Sequence, residues 1–244
     1  MRIVGDYHTH TVYSHGKGTV AENVAAAAAL GLKTIAISEH GPGHAIFGVS
    51  KEKLMALKAE IEALKAEYPN MTIKFGLEAN IVNPDGDLDV DDELLSSLDF
   101  LMAGYHFGST PKRWVRDSLW HLSNVCAKYL PPLKQYCIRE NTRAAIAAMN
   151  RYPIFALTHP GAKGLIDIAE VAVVAFARGT LLEINSHHGH LTVEAIKIAK
   201  KKGARFIINS DAHHPMHVGM IAEGVKRALE AGLSEEDVFN ASLD

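Results

Sequence analysis

The 244-residue sequence has 48% hydrophobic and 22% charged residues, which is typical of a globular protein with one sizeable core. Its formal net charge of −3 argues against a general nucleic-acid-binding protein. The sequence has no charged start followed by an apolar segment and no apolar run long enough to span a bilayer, so we expect a cytoplasmic protein without a membrane partner.

Short β-like runs alternate with helical runs along the whole chain. The first predicted strand begins at Arg2, and Thr19 with Glu22 has the pattern of a capping box that opens a helix. Ser50 is expected to cap a longer helix over Lys51–Tyr68, whose apolar residues recur every three or four positions. The other predicted strands cover residues 33–38, 71–77, 99–105, 154–158, 180–185 and 205–210, and residues 108–150 form a long irregular insert containing two helices.

Seven strands separated by helices predict an α/β fold with a parallel sheet. Closure into a barrel would bring the two ends of the chain together, whereas an open doubly wound sheet, the alternative, would leave them apart. The sequence contains no repeat, linker or low-complexity segment, which favours a single domain over residues 1–244. No glycine-rich phosphate-binding motif follows any predicted strand, so a nucleotide cofactor is not indicated.

Histidines concentrate at the ends of the predicted strands. His8 and His10 are two apart in the first strand, so both imidazoles point to one face, and Asp211 and His213 repeat this spacing after the last strand. Thirteen of the fourteen histidines follow a strand, with His121 as the exception. Because the carboxyl ends of barrel strands open on one rim, this pattern predicts a multinuclear site for zinc, manganese or iron. The acidic candidates on the same rim are Glu39, Glu78 and Asp211.

Six strand-end motifs, DYHTHT, SEHG, GLEAN, AGYH, LTHPG and NSDAHHP, occur in this order across almost the whole chain. Together they resemble the polymerase and histidinol phosphatase (PHP) family of metal-dependent phosphoesterases, in particular its small stand-alone members. The resemblance implies a distorted seven-stranded, TIM-like (β/α)7 barrel that holds three divalent metal ions. The nine metal ligands that it implies are His8, His10, His15, His40, Glu78, His106, His159, Asp211 and His213.

The resemblance also implies how the three metals share these ligands, with Glu78 as a bridge. The implied groups are His8, His10, Glu78 and Asp211; Glu78, His106 and His159; and His15, His40 and His213. The chain departs from the family pattern at Glu39, where aspartate is more usual, and in the short gap between His10 and His15.

The implied activity is hydrolysis of a small phosphomonoester, with histidinol phosphate as a substrate associated with the family. We expect in-line attack on the phosphomonoester by a hydroxide held between metals. The metals would also neutralise charge on the phosphoryl oxygens. A metal-bound water or an unligated rim histidine, His187 or His188, would protonate the leaving group.

The insert supplies candidate phosphate contacts. Residues 109–143 contain seven basic and two acidic residues, and we predict that Arg113 or Arg116 clamps a phosphate bidentately. The alternative is that these cations only solvate the helices.

Two other function classes stay open at this point. An amidohydrolase-type enzyme acting on a C–N or lactone bond also carries an HxH motif after its first strand, but the carboxylated lysine that this class often uses has no candidate here. A non-catalytic metal-binding module is the other alternative, against which the complete ligand set argues. The sequence does not determine the natural substrate, the metal or the oligomeric state.

Overall fold

In a computed structural model that describes residues 1–127 and 129–243, seven parallel strands form one sheet in chain order. The strands are β1 (Gly5–Asp6), β2 (Thr34–His40), β3 (Thr72–Asn80), β4 (Phe100–Gly104), β5 (Ile154–Leu157), β6 (Leu181–Asn185) and β7 (Phe206–Asn209). Each strand pairs in parallel with the next. The predicted α/β class is confirmed. Lys128, one of the basic residues counted in the insert, lies outside the described residues.

Helices connect the strands. They are α1 (Val20–Ala29), α2 (Lys51–Lys65), α3 (Asp92–Ser97), α4 (Trp114–Cys126), α5 (Pro131–Arg151), α6 (Ile168–Arg178), α7 (Val193–Lys201) and α8 (Ala222–Glu230), with short 3₁₀ turns at Pro215–His217 and Glu235–Asp237. The capping box of Thr19 and Glu22 is present at α1. Helix α2 ends three residues before its predicted end, and the insert contains two helices as expected. No helix in the described part of the chain has the length and apolarity that a membrane span requires.

The first and last strands meet and nearly close the barrel. His10 N donates to the Ala212 carbonyl at 2.8 Å, and Thr9 and Ala212 form a parallel bridge. The buried Asp6 carboxylate accepts from Ser210 Oγ at 2.5 Å, which ties the end of β1 to the end of β7. The predicted seven-stranded TIM-like barrel is therefore confirmed, and the open sheet is excluded.

The barrel interior changes from apolar at its floor to polar at its mouth. The apolar floor consists of Tyr7, Ala36, Met102, Ala156, Leu181 and Ile207. Side chains two residues apart share one face of a strand, so Leu181 in β6 is followed on the interior by Glu183 and Asn185, and Ile207 in β7 by Asn209. The polar side chains at the mouth are thus carried on rigid strands above a packed floor.

Candidate metal centre

The nine side chains predicted as metal ligands converge at the mouth of the barrel. His40 and Glu78 lie within β2 and β3, and the others follow β1, β4, β5 and β7. Seven of them are buried, whereas His15 and His213 are partly exposed. Residues from positions 8 to 213 thus form one cluster, as expected from the strand-end pattern.

Glu78 lies at the centre of this cluster. Five imidazole nitrogens lie 2.9–3.7 Å from its two carboxylate oxygens: His159 Nε2, His40 Nδ1, His106 Nε2, His8 Nε2 and His10 Nε2. None of these contacts has hydrogen-bond geometry, so both buried oxygens lack a hydrogen-bond partner among the described residues. The nitrogens and oxygens face a shared space instead of one another, which is the arrangement expected of ligands around a cation.

Three groups of ligand atoms lie within 4.8 Å of one another: His8, His10 and Asp211; His40, Glu78 and His106; and His10, His40 and His213. His159 Nε2 is also 3.2 Å from His106 Nε2. These groups overlap with the sharing implied by the resemblance, but they place His10 beside His40 and His213. Which ligand binds which cation stays a prediction.

His15 lies against the outer part of the cluster. Its ring is 4.1 Å from the Phe47 ring centroid, 4.2 Å from that of His213 and 5.0 Å from that of His40. Burial and the neighbouring His213 lower the pKa of His15 to about 3, and its Nδ1 has no hydrogen-bond partner among the described residues. His15 therefore offers a neutral imidazole to the cluster despite its short spacing from His10.

The electrostatics of the mouth favour positive ions. Burial lowers the pKa of His106 to about 3, which keeps its lone pair available. Burial also opposes charge on His8, but Glu183, Glu78 and Asp211 outweigh it and raise its pKa well above the ordinary value. Glu78 in turn has a pKa well below the ordinary value despite its burial, because of the nearby imidazoles of His106 and His8. The negative field that draws a proton to His8 also attracts a divalent cation.

Glu183 is a buried residue of the centre that the sequence analysis missed. One carboxylate oxygen lies 2.8 Å from His8 Nδ1, and the other accepts from the His159 backbone N–H at 2.7 Å. Asn185 and Asn209 each donate an amide N–H to it at 2.9 Å. A carboxylate on Nδ1 holds the ring so that Nε2 faces the metal position. The available signal was a charged residue inside the apolar strand LLEIN.

Glu39 has a similar position beside His10. Its carboxylate accepts from Thr11 N at 2.7 Å and from the hydroxyl of Ser14, and it lies 3.4 Å from His10 Nδ1. Glu39 was one of three acidic candidates on the rim, and the structure places it behind a predicted ligand instead of in the shared space around Glu78.

Two predicted ligands have a backbone conformation that is unusual for residues other than glycine. His159 has φ 27° and Asp211 has φ 56°, in the left-handed region that costs about 1–3 kcal/mol per residue. The hydrogen bond from His159 N to Glu183 and the one from Asn185 to Asp211 Oδ2 at 3.1 Å hold these conformations. Such local strain is typical of functional sites.

A cavity of about 630 Å³ opens above the cluster. Glu78 and Asp211 are the two carboxylate residues among the described residues of its lining. Beyond the predicted ligands, the lining includes Lys17, Lys163, Phe47, Phe107, His187 and His188. The cavity is therefore positively charged and aromatic outside the cluster, which suits an anionic ligand.

The two rim histidines of the β6 loop face this cavity. The backbone N–H groups of His187 and His188 donate to Asn185 Oδ1 at 3.0 and 2.7 Å, which fixes the loop. His188 Nε2 is 3.7 Å from Asp211 Oδ2, and burial lowers the pKa of His188 to about 4. Both residues line the cavity, and their catalytic role stays a prediction.

The two arginines predicted as phosphate contacts lie elsewhere. Arg116 Nη2 is 2.7 Å from Asp85 Oδ2 and 3.1 Å from Asp117 Oδ1, and Arg113 Nη1 is 3.4 Å from Asp85 Oδ2. Neither arginine is among the described residues that line the cavity, whereas Lys17 and Lys163 are. The structure thus does not bring Arg113 and Arg116 to the cluster.

The chain is similar to known proteins along its whole length. The model of the PHP domain matches residues 6–187. The chain belongs to the PHP domain family. It is 30% identical over 259 residues to a probable phosphatase of Caldanaerobacter subterraneus subsp. tengcongensis, covering 100% of this chain and 89% of that protein. It is 28% identical over 250 residues to the DNA polymerase/3'-5' exonuclease PolX of Bacillus subtilis, covering 98% of this chain and 39% of that protein.

Among solved structures, this PHP domain resembles histidinol phosphate phosphatase from Lactococcus lactis, which was crystallised with zinc, L-histidinol and phosphate. The TM-score is 0.62 at 16% sequence identity, and the alignment covers 96% of this chain and 95% of the other. At this identity, the likeness shows a shared fold.

The residues at the mouth of the PHP domain fit divalent metal ions. Both Glu78 oxygens and the Nδ1 atoms of His15, His40 and His106 are buried without a hydrogen-bond partner among the described residues. Each such atom costs about 1–3 kcal/mol unless another group engages it. Imidazole and carboxylate ligands without thiolate suit zinc, manganese or iron.

Proposed function

We propose that this PHP domain is a metal-dependent phosphatase that hydrolyses a small phosphomonoester. The observation that carries the proposal is the convergence of imidazole and carboxylate ligands on the unpaired Glu78 oxygens beneath an open cavity. The cavity volume of about 630 Å³ is in the range of small-molecule sites. The family membership and the probable phosphatase of Caldanaerobacter support the same activity.

The nine predicted ligands would hold three divalent ions of zinc, manganese or iron. When bound, such ions supply positive charge for the phosphoryl oxygens and activate water for attack on phosphorus. Glu183 and Glu39 hold the imidazoles of His8 and His10 in place. The strained backbone at His159 and Asp211 is part of the same rigid arrangement.

The residues around the cavity would bind the phosphate and the leaving group. Lys17 and Lys163 line it and are the side chains best placed to contact phosphoryl or other anionic oxygens. Of the two rim histidines, His187 is the candidate to donate a proton to the leaving alkoxide, because the lowered pKa of His188 leaves its imidazole neutral near pH 7. Arg113 and Arg116, the phosphate contacts predicted from the sequence, are less well placed because they pair with Asp85.

The charge of the lining also bears on the leaving group. L-histidinol, bound by the Lactococcus enzyme, carries a positively charged amine. Of the described lining residues, Glu78 and Asp211 are the carboxylates, and both belong to the metal cluster. A cationic leaving group therefore has no free acidic partner among the described lining residues, so we expect a neutral or anionic leaving group to be preferred over L-histidinol.

The proposal is tested by metal analysis of the purified protein and by assays on p-nitrophenyl phosphate, bis-p-nitrophenyl phosphate, single-stranded DNA and a panel of amides and lactones. We expect release of phosphate from the monoester, loss of activity in Glu78→Gln, and wild-type activity in the control Glu194→Gln, whose side chain is exposed on α7. Histidinol phosphate is expected to be a poorer substrate than glycerol phosphate. Activity confined to amides and lactones would support the amidohydrolase alternative, and a metal-loaded protein inactive on every substrate would support the non-catalytic one.

A further inference from the structure

Helix α4 exposes five of its apolar side chains and buries two polar ones. Asp117 and Asn124 are buried together with Trp120 on the side that faces the protein. The apolar residues on the other side are each at least 50% exposed: Trp114, Val115, Leu119, Leu122 and Val125. This polarity is the reverse of that of α2, which buries Leu54, Leu57, Ile61 and Leu64.

The reversed orientation is held by specific hydrogen bonds. The Asp117 carboxylate accepts from Arg113 N at 2.6 Å and from Arg116 Nε at 3.1 Å. The side-chain amides of Asn124 and Asn141 donate to each other at 3.1 and 2.7 Å. Because Asn141 lies on α5, rotation of α4 to bury its apolar side would break the hydrogen bonds between the buried Asn124 and Asn141 amides. The apolar side is therefore fixed in its outward position.

The exposed residues form a continuous stripe. With 3.6 residues per turn, Val115, Leu119 and Leu122 lie on one face of the helix. Trp114 and Val125 flank this stripe. We call the surface formed by these five residues the α4 face.

Three cations beside the amino-terminal end of α4 are already paired within the chain. Lys112 Nζ lies 3.6 Å from Asp87 Oδ2, and Arg113 and Arg116 pair with Asp85. Among the described residues, these three cations are therefore not free to bind an anionic membrane or an acidic partner. A neutral apolar surface of this kind is typical of homodimer interfaces, in which charged residues are depleted at the centre.

The size of the α4 face also fits a dimer. A standard interface buries roughly 800 Å² per subunit, of which about 65% is apolar in homodimers, so about 500 Å² of apolar surface is needed. The α4 face has five apolar side chains that are each exposed by half or more. The aromatic one alone buries roughly 150–250 Å² when covered, so the five together supply an apolar area on the order of the one needed. A patch of this size is at the upper end of what a monomer exposes.

We propose that the α4 face is the interface of a symmetric dimer of this chain. In a two-fold contact the same patch meets itself, so two α4 helices would cross with Leu119 and Leu122 nearest the axis. The metal cluster lies at the mouth of each barrel, and each subunit keeps its own set of ligands.

Sedimentation equilibrium of the full-length, metal-loaded protein tests this proposal. We expect the wild-type protein to have the mass of two chains and the double variant Leu119→Glu/Leu122→Glu to have the mass of one, because each substitution would bury a charge in the interface. The control Val173→Glu changes an exposed valine on α6, outside the α4 face, and is expected to stay dimeric. Thermal unfolding and phosphatase activity per chain report whether the variants are folded. If the glutamate variant fails to fold, Leu119→Ser/Leu122→Ser replaces it.

Two results would overturn the proposal. One is that the wild-type protein has the mass of one chain at every concentration, whether or not it also binds vesicles of anionic phospholipid. The other is a folded double variant that keeps the mass of two chains. Neither result depends on the identity of the substrate, so this test is separate from that of the proposed function.

Discussion

Glu183 is expected to control metal affinity through the orientation of His8. In Glu183→Gln the side chain keeps its size, but one acceptor oxygen becomes an NH₂ group. If that oxygen is Oε1, the new amide faces His8 Nδ1 and Asn209 Nδ2; if it is Oε2, it faces His159 N and Asn185 Nδ2. Either orientation sets donors against each other and removes the charge that supports the His8 ring.

The magnitude follows from the hydrogen bonds that are lost. A hydrogen bond to a charged group contributes about 1.5–3 kcal/mol, and each 1.4 kcal/mol is about tenfold in an equilibrium constant. We therefore expect about 10- to 100-fold weaker metal binding, which is the range typical of residues that orient a metal-bound histidine. The expected loss of activity comes from lower metal occupancy. Glu183 is fully buried behind His8, and it is not among the described residues that line the cavity.

The assay is a titration of the metal-free protein with Zn²⁺ in competition with a chelating dye, followed by phosphatase activity at saturating metal. Activity of Glu183→Gln should recover substantially with excess metal, whereas that of Glu78→Gln should not. Glu194→Gln serves as the exposed control. Zinc affinity of folded Glu183→Gln within about twofold of wild type, well under the tenfold limit worked out above, would refute the reasoning.

Three further predictions concern the cluster, the cavity and the rim. Removal of metal with a chelator should lower the thermal unfolding midpoint, because the buried Glu78 and Asp211 carboxylates lose their counter-charge. Re-addition of metal should restore the midpoint. A midpoint that does not change on metal removal would contradict the prediction. Lys163→Ala should raise KM for p-nitrophenyl phosphate several-fold, which corresponds to the loss of a typical contact of about 0.5–1.5 kcal/mol. Arg116→Ala should leave KM unchanged. The reverse pattern would support the phosphate contact by arginine that was predicted from the sequence. Gly41→Ala should destabilise the protein by about 1–3 kcal/mol in urea unfolding, because its Cβ would overlap the Asp89 carboxylate.

Much of the fold and of the cluster could be predicted from the sequence because both depend on local patterns. The spacing of two between His8 and His10, just after β1, places their side chains together. The position of His40, Glu78 and His159 at strand ends places them on one rim once the sheet is parallel. These relations hold within a few residues, so they are visible in the printed sequence. The same is true of the capping box at Thr19.

The role of Glu183 required the tertiary structure. Its partner His8 is 175 positions away and His159 is 24 away, so no local pattern connects them. The positive net charge of the insert is visible in the sequence, but the role of its arginines depends on pairing. Asp85 pairs with both Arg113 and Arg116, whereas the loops after other strands bring Lys17 and Lys163 to the cavity.

The sequence by itself determined the order of the strands, because strand periodicity is a property of short segments, and the resemblance of its strand-end motifs to the PHP family supplied the set of predicted ligands. Only the tertiary structure decided the position of each buried carboxylate. Glu78 faces the space shared by the predicted ligands, whereas Glu183 lies behind the imidazole of His8. It also decided that α4 buries Asp117 and exposes Leu119, since the helical pattern alone does not say which face meets the protein. In each case the outcome depends on contacts between segments that are distant in the chain.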